Sequence, residues 1–243
     1  MKIAIMSLAY YEERMIRHFV KHYKPIINDI FILQSTIPWH GQHNDQLDMT
    51  GKYAQTLGAK VIQDHWKSET EQRNWGLKYL KDYDWVLILD PDEFILYGDL
   101  ENFCGWLRQA KSIGITANMD VYWKKGYKLI PPDTHQPLVA VRPAEIDFID
   151  KRTSNCLYPQ IAPVKLHHAS WMRTDIEVWN KINHYAHAID FNIVDWYNRV
   201  WLKWAPEMHD LHPTTPFKWI QAIPATQLYS PLDIIAEELN DKY

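Results

Sequence analysis

The sequence predicts an α/β fold whose first half is doubly wound, and three observations predict it. Strand-like and helix-like stretches alternate from Lys2 to Phe94. One of them, Trp85-Val86-Leu87-Ile88-Leu89, is apolar throughout, as a strand buried on both faces must be. It runs straight into Asp90-Pro91-Asp92-Glu93, and Pro91 cannot continue a central strand. Three acids therefore collect at a strand's carboxyl end, where open α/β sheets bind ligands. Taken alone, they also fit a solvated turn. Carboxylates at i and i+2 on a bend can converge on one divalent cation.

Lys2 to Leu8 reads as the first buried strand. Tyr11 to Tyr23 reads as a helix, with Met15, Ile16, Phe19, Val20 and Tyr23 at helical spacing and Glu12 and Glu13 in the first turn. Asp29 to Leu33 is a second strand and Gln34 to Gly51 a polar loop. A short helix over Lys52 to Leu57, closed by Gly58, leads into a third strand, Ala59 to Gln63. Ser68 to Leu80 is a helix opened by a Ser68/Glu71 capping box. The acid-ended strand follows, which completes β-α-β-α-β-α-β.

Beyond Asp92 the alternation weakens. A helix is expected over Asp99 to Ala110 and a strand over Gly114 to Trp123. A hairpin, Tyr127–Ile130 with Leu138–Arg142, is expected around Pro131-Pro132-Asp133. A further strand covers Ile161 to His167, and helices cover Thr174 to Ala188 and Ile193 to Trp204. From Ala205 the chain is proline-rich and is expected to wrap the surface.

The composition bounds the function. The 243 residues suit one large domain with an elaborated tail. The formal charge of −4 gives no general basic footprint for nucleic acid. Cys104 and Cys156 form no metal or disulfide pattern, which favours a reduced, cytoplasmic setting. Met1 to Arg14 does not read as a signal peptide, because its apolar run is short and Glu12-Glu13 follow at once. Twelve tryptophans against eight glycines is unusual, and aromatic enrichment serves both cores and sugar-stacking sites.

Several stretches together resemble the GT-A fold of nucleotide-sugar glycosyltransferases, in its broad family 2 type. Leu8-Ala9-Tyr10-Tyr11-Glu12-Glu13 is similar to the first-strand segment that packs around the nucleotide base, with Tyr11 where that family usually has Asn. Arg73-Asn74-Trp75-Gly76 resembles an Arg-Asn-x-Gly element, and Asp90-Pro91-Asp92-Glu93-Phe94 the D-x-D motif. Phe148 to Arg152 resembles a Phe-x-x-x-Arg element. Leu166 to Trp171, Lys181 to Tyr185 and Trp196-Tyr197 resemble the C-terminal block. One departure stands out: the second strand ends Leu33-Gln34-Ser35-Thr36, where the family often has an Asp that reads uracil. Gln34 still offers a base edge both a donor and an acceptor.

The resemblance implies one GT-A domain over residues 1–204, a Rossmann-like nucleotide-binding half (1–93) and a mixed acceptor-side half (94–204) with C-terminal helices, and an extension over 205–243. It implies transfer of a sugar from a nucleoside-diphosphate sugar, a UDP-sugar by preference, to an acceptor hydroxyl on a glycan or lipid-linked saccharide. Leu8, Ala9, Tyr10, Glu12, Gln34, Arg73, Asn74, Asp90 and Arg152 are the implied donor-binding residues. Asp90, Asp92 and His168 are the implied ligands of Mn²⁺ or Mg²⁺, ions suited to oxygen donors. Strand alternation lets only one of His167 and His168 face such a site. Glu93 either orients the pair or solvates the turn, and Arg152 either holds phosphate or closes a loop salt bridge.

An inverting reaction needs a base, and Asp150 is the candidate, with Asp120 and Asp147 as rivals. Trp123, Trp171, Trp196 and Trp201 are candidates for core or for an acceptor platform. Three other readings stay open. The acceptor could be a hydroxylated base in nucleic acid, held by Lys165, Arg173, Lys181, Arg199 and Lys203. The chain could be a nucleotidyltransferase, although residues 8–14 lack the glycine and lysine of that loop. It could also be a non-catalytic sugar-binding module.

Overall fold

The computed structural model describes residues 1–43 and 48–240, so part of the polar loop expected over 34–51 lies outside the described residues. The first half alternates as expected: β1 (Ile3–Ala9), α1 (Glu13–Tyr23), β2 (Ile30–Ser35), α2 (Thr50–Thr56), β3 (Lys60–Asp64), α3 (Glu69–Tyr79) and β4 (Trp85–Ile88). β1 pairs in parallel with both β2 and β4, and β2 with β3. The order β3-β2-β1-β4 reverses direction between β1 and β4, and the carboxyl ends of those two strands bound a switch-point crevice.

Local chemistry explains the elements around that crevice. α1 buries Met15, Ile16, Phe19, Val20 and Tyr23, the residues at helical spacing. α3 starts at Ser68, whose side chain accepts from the Glu71 amide. Glu71 itself reaches back to the Lys67 amide, one residue earlier than a standard capping box. Gly76 lets α3 lie close on β1, since a Cβ there would stand 2.3 Å from Met6 Sδ.

The second half comprises β5 (Glu93–Phe94), α4 (Tyr97–Trp106), β6 (Gly114–Trp123), β7 (Tyr127–Ile130), β8 (Leu138–Val141), β9 (Phe148–Asp150), β10 (Thr153–Ser154), β11 (Gln160–Trp171), α5 (Asp175–His184), α6 (Ile193–Trp196), β12 (Gln221–Pro224) and α7 (Leu232–Asn240). The main sheet runs β12-β7-β6-β8-β4-β1-β2-β3, with β11 on β6 and β5 on β11.

Five expectations differ from the structure. The acid-ended strand stops at Ile88, before the turn that Asp90 opens. β7 and β8 form no hairpin. β6 is ten residues long, so it pairs β8 at its start and β7 at its end. The helix expected to Ala188 stops at His184, and the one expected over Ile193 to Trp204 is α6 passing into a π-helical turn, Tyr197–Trp201. The tail does more than wrap the surface. β12 adds an antiparallel edge strand to β7, and α7 buries Leu232, Ile235 and Leu239.

The tryptophans are mainly core. Trp123, Trp171, Trp196 and Trp201 are all buried and pack ring against ring, with Trp123 and Trp201 centred 5.0 Å apart and Trp171 and Trp196 5.1 Å apart. Of these four, Trp171 alone reaches the cavity described next.

Candidate active site

A cavity of about 660 Å³ opens at the switch point. The end of β1 (Leu8 and Ala9) and the turn after it (Tyr10, Tyr11 and Glu12) line one side, and Asp90, Pro91, Asp92 and Glu93 the floor. Tyr11 adopts φ 54°, a left-handed conformation that a bulky residue rarely takes and Asn takes readily. The turn thus keeps the backbone suited to Asn while carrying Tyr.

The acid turn is built by its own members. The Glu93 amide donates to the Asp90 carbonyl (2.9 Å), and Glu93 Oε2 accepts from the Asp90 amide (2.9 Å). β5 then pairs with β11 in the register His168↔Glu93 and His167↔Phe94, and the Ala169 amide donates to the Asp92 carbonyl at 2.7 Å. That pairing brings His168 to Asp92, with Nε2 3.3 Å from Oδ1. His168 lines the cavity. His167 lies on the other face, where Tyr122 Oη meets its Nδ1 at 2.8 Å. Burial pushes the His167 imidazole below its ordinary value.

Two ion clusters hold the acids. Asp90 accepts from Arg73 Nη2 at 3.1 Å, and Arg73 is also tied to Glu69. Arg152 binds Glu93 with both terminal nitrogens and stands 3.7 Å from Asp90. Asp92 Oδ2 accepts from Arg173 Nη2 (2.7 Å) and from Lys181 Nζ (2.6 Å). Arg173 also clamps Glu12 through two bonds, at 2.8 and 3.0 Å. Burial alone would raise the Asp92 carboxyl, but Lys181, His168 and Arg173 hold it well below the usual range. For Glu12 burial wins over Arg173, and its carboxyl is raised.

The other implied residues divide. Leu8, Ala9, Tyr10, Glu12, Asp90, Asp92, Arg152 and His168 share the cavity. Arg73 does not line it and acts from behind Asp90. Asn74 does not line it either. Its side chain pairs with the Phe148 backbone in both directions, at 2.9 and 2.7 Å, and so fixes β9 and the hairpin carrying Asp150 and Arg152. Gln34 is buried away from the cavity, accepting from Gln63 Nε2 at 2.7 Å.

Asp150 is exposed on the rim of the cavity. Asp120 is off the cavity, buried, and bound to Lys165 (3.0 Å) and Lys128 (3.3 Å). Asp147 is exposed and does not line the cavity. Four of the five cations expected to grip a nucleic acid strand are paired with carboxylates. Arg173 and Lys181 face Asp92, Lys165 faces Asp120, and Arg199 pairs with Asp195 at 2.8 Å.

The motifs gave no sign that Arg173 and Lys181 bind Asp92 or that the tail reaches the cavity. Lys181 opens the Lys181 to Tyr185 stretch of the C-terminal block and Arg173 follows the Leu166 to Trp171 stretch, yet the sequence marks both only as candidate nucleic-acid cations. His212, Thr214, Lys218 and Trp219, from the tail, form the far wall of the cavity. The Thr214 and Thr215 amides both donate to His212 Nδ1, at 3.1 and 3.0 Å, which leaves its Nε2 as the ring's donor.

Among the described residues no three His, Cys, Asp or Glu side chains converge as a ready-made metal cage. Two of the side chains nonetheless have the spacing that one divalent ion would need. Asp92 Oδ1 and His168 Nε2 stand 3.3 Å apart, near the ~3 Å between adjacent ligands of an octahedral ion with bonds of about 2.1 Å. Ions of this kind use one or two protein carboxylates and take the remaining ligands from phosphate and water.

No family model matches the chain, and no curated protein matches it. Several solved structures are similar to parts of it. S. aureus TarS 1–349 in complex with UDP-GlcNAc is similar over 74% of this chain and 64% of that one, with 15% identity and a TM-score of 0.47. Glucosyl-3-phosphoglycerate synthase from Mycobacterium tuberculosis, in complex with Mn²⁺, UDP and phosphoglyceric acid, is similar over 49% of this chain at 17% identity and a TM-score of 0.37. The match spans 43% of the synthase's own length. CMP:2-keto-3-deoxy-manno-octonic acid synthetase complexed with CTP is similar over 59% of this chain and 75% of that one, with 15% identity and a TM-score of 0.40. Among the described residues no helix is long and apolar enough to cross a membrane.

Proposed function

We propose that the chain is a metal-dependent glycosyltransferase that moves a sugar from a nucleoside-diphosphate sugar to an acceptor hydroxyl. One observation carries the reading: the D-x-D turn, the end of β1 and His168 meet in a single cavity at the sheet's switch point. The nucleotide lies against Leu8 to Glu12, and the diphosphate over Asp90 and Asp92.

The charge balance supports a metal. Arg73, Arg152, Arg173 and Lys181 face Glu12, Glu69, Asp90, Asp92 and Glu93. Counting these side chains alone, four fixed cations stand against five carboxyl groups. A polyanionic leaving group needs further positive charge there. Asp92 and His168 would hold Mn²⁺ or Mg²⁺, which when bound supplies Lewis-acid neutralisation of the departing diphosphate.

The chain's own residues do the rest. Arg73 orients Asp90 toward the donor, and Arg152, held by Glu93, closes the cavity over it. Asp150 takes the acceptor proton from the rim, the role a base has in an inverting transfer. The tail's wall, with His212 and Trp219, faces the acceptor, for which a glycan or lipid-linked saccharide is the proposed class.

Thermal-shift or calorimetric titration with UDP, GDP, TDP and CDP, with and without Mn²⁺, tests the reading, since a ligand stabilises the state it binds. One diphosphate, expected to be UDP, should stand out and depend on Mn²⁺, and Asp92→Ala should abolish the Mn²⁺-dependent part. No shift with any nucleotide, or an unchanged Mn²⁺ effect in Asp92→Ala, would overturn it.

A further inference from the structure

Asp92 carries more positive charge than one carboxylate requires. Arg173 and Lys181 both approach Oδ2, within 2.7 Å, and His168 faces Oδ1. The two cations are not equivalent. Arg173 is buried, and its fork is shared with Glu12, so withdrawing it would strand the Glu12 carboxylate. Lys181 reaches Asp92 from α5 on a flexible four-carbon stem and lines the cavity. Its other partners are neutral: Ser170 Oγ at 3.0 Å and the Ser170 carbonyl at 3.4 Å. It can turn from Asp92 toward the cavity and leave Arg173 to keep the carboxylate in place.

A divalent cation on Asp92 Oδ1 meets this ammonium as a like charge across one carboxylate, in a buried setting where screening is weak. A diphosphate in the cavity reverses the balance. It attracts the ammonium and the divalent cation together, and the repulsion between them is offset by the anion they share.

We infer that Lys181 couples metal binding to diphosphate binding: it guards Asp92 against a divalent cation in the ligand-free chain and becomes a phosphate ligand when the nucleotide arrives. The inference rests on the donor reading proposed above. It makes the metal a poor ligand alone and a good one with nucleotide. Because coupling is reciprocal, each raises the other's affinity by the same factor.

Calorimetric titrations of Mn²⁺ alone, UDP alone and each in the presence of the other test this, on wild type and on Lys181→Met. In wild type, UDP is expected to tighten Mn²⁺ at least tenfold, with an equal reciprocal effect. In Lys181→Met, Mn²⁺ alone should bind several-fold tighter than in wild type, UDP should bind at least tenfold weaker, uridine should be unaffected, and the coupling factor should shrink. Lys181→Gln is a second neutral variant should the methionine variant fold poorly. Mn²⁺ alone binding the neutral variants no tighter than wild type, or an unchanged coupling factor, would overturn the inference while leaving the donor reading intact. So would a wild type that shows no reciprocal effect. Failure of UDP, GDP, TDP and CDP alike to bind wild type, with or without Mn²⁺, would remove both.

Discussion

Arg152 closes on Glu93 from a hairpin far along the chain, binding both carboxylate oxygens, with Nη2 also donating to the Ile88 carbonyl at 2.7 Å. Glu93 in turn holds the Asp90 amide. The third acid of the turn is therefore the brace between the strand end and the hairpin over the cavity. Glu93→Gln leaves a half-buried guanidinium without its main counter-charge, and losing one member of a buried pair costs about 3–5 kcal/mol, an upper bound for this one. Urea denaturation should show that loss. A change below about 0.5 kcal/mol would mean that Arg152 is neutralised by Asp90 alone.

Asn74 reads the Phe148 backbone as a neighbouring strand would. Asn74→Ala removes both bonds, each worth about 1 kcal/mol net. Its sharper effect should be local. Amide exchange over residues 148–154 should quicken and nucleotide affinity should fall, because Arg152 loses its anchor. Unchanged exchange in that segment would show that β10 and Glu93 suffice to hold the hairpin.

Those two residues show what the sequence made legible and what it hid. The alternation, the buried strand and Pro91 fix the sheet and the place of the acids, because period and breaker chemistry are local. Alternation likewise admits only one histidine of the pair to the cavity, but the choice of His168 over His167 comes from the resemblance and not from the period. The roles of Asn74, Glu93 and Gln34 were not readable. Each is set by a partner distant in sequence: Phe148, Arg152 and Gln63. The cation pair on Asp92 was hidden likewise, since a lysine on a helix looks alike whether it meets water or a buried carboxylate. The tail misled because proline-rich composition reports the absence of regular structure, not the absence of burial.

Acid should weaken the fold through Glu177. Burial would raise its carboxyl, but the two bonds from Arg14, both 2.9 Å, win and bring it down to about 2 from an ordinary 4.5. A folded-state value below the unfolded one contributes stability that is complete above about pH 4.5 and lost as pH falls toward 2. The shift corresponds to at most about 3 kcal/mol. Asp90 and Asp92 are lowered and act in the same direction, while Glu12, which is raised, acts in the opposite one. Denaturation at pH 7 and pH 3 should show the fall, and Glu177→Gln should flatten it. An equally steep fall in the variant would assign the acid sensitivity to other lowered carboxylates, Asp90, Asp92 and Asp120 among them.

Tyr11 offers a test of the turn that lines the nucleotide side. Its φ of 54° costs an ordinary residue about 1–2 kcal/mol, and Asn tolerates it better. Tyr11→Asn and Tyr11→Ala lose the same ring, so their difference isolates the backbone. The Asn variant should be the more stable of the two by about 0.5–1 kcal/mol. Equal stabilities would indicate that the turn relaxes out of the left-handed conformation once the ring is gone.

The proposed base can be separated from its rival because the two carboxylates differ in surroundings. Asp150 is exposed on the cavity rim, and among the described residues no ion pair depends on its charge. Asp120 is buried between Lys128 and Lys165, off the cavity. Asp150→Asn should therefore leave the melting temperature and Mn²⁺-dependent nucleotide affinity unchanged, while lowering the transfer rate by about 10²–10⁴, the usual contribution of a general base. Asp120→Asn should do the reverse, lowering stability and changing the rate by no more than a few-fold. Both variants are assayed with the donor that the nucleotide panel selects. A rate loss confined to Asp120→Asn, or none in either, would remove Asp150 from the reaction and point to a base on the acceptor or to a retaining transfer.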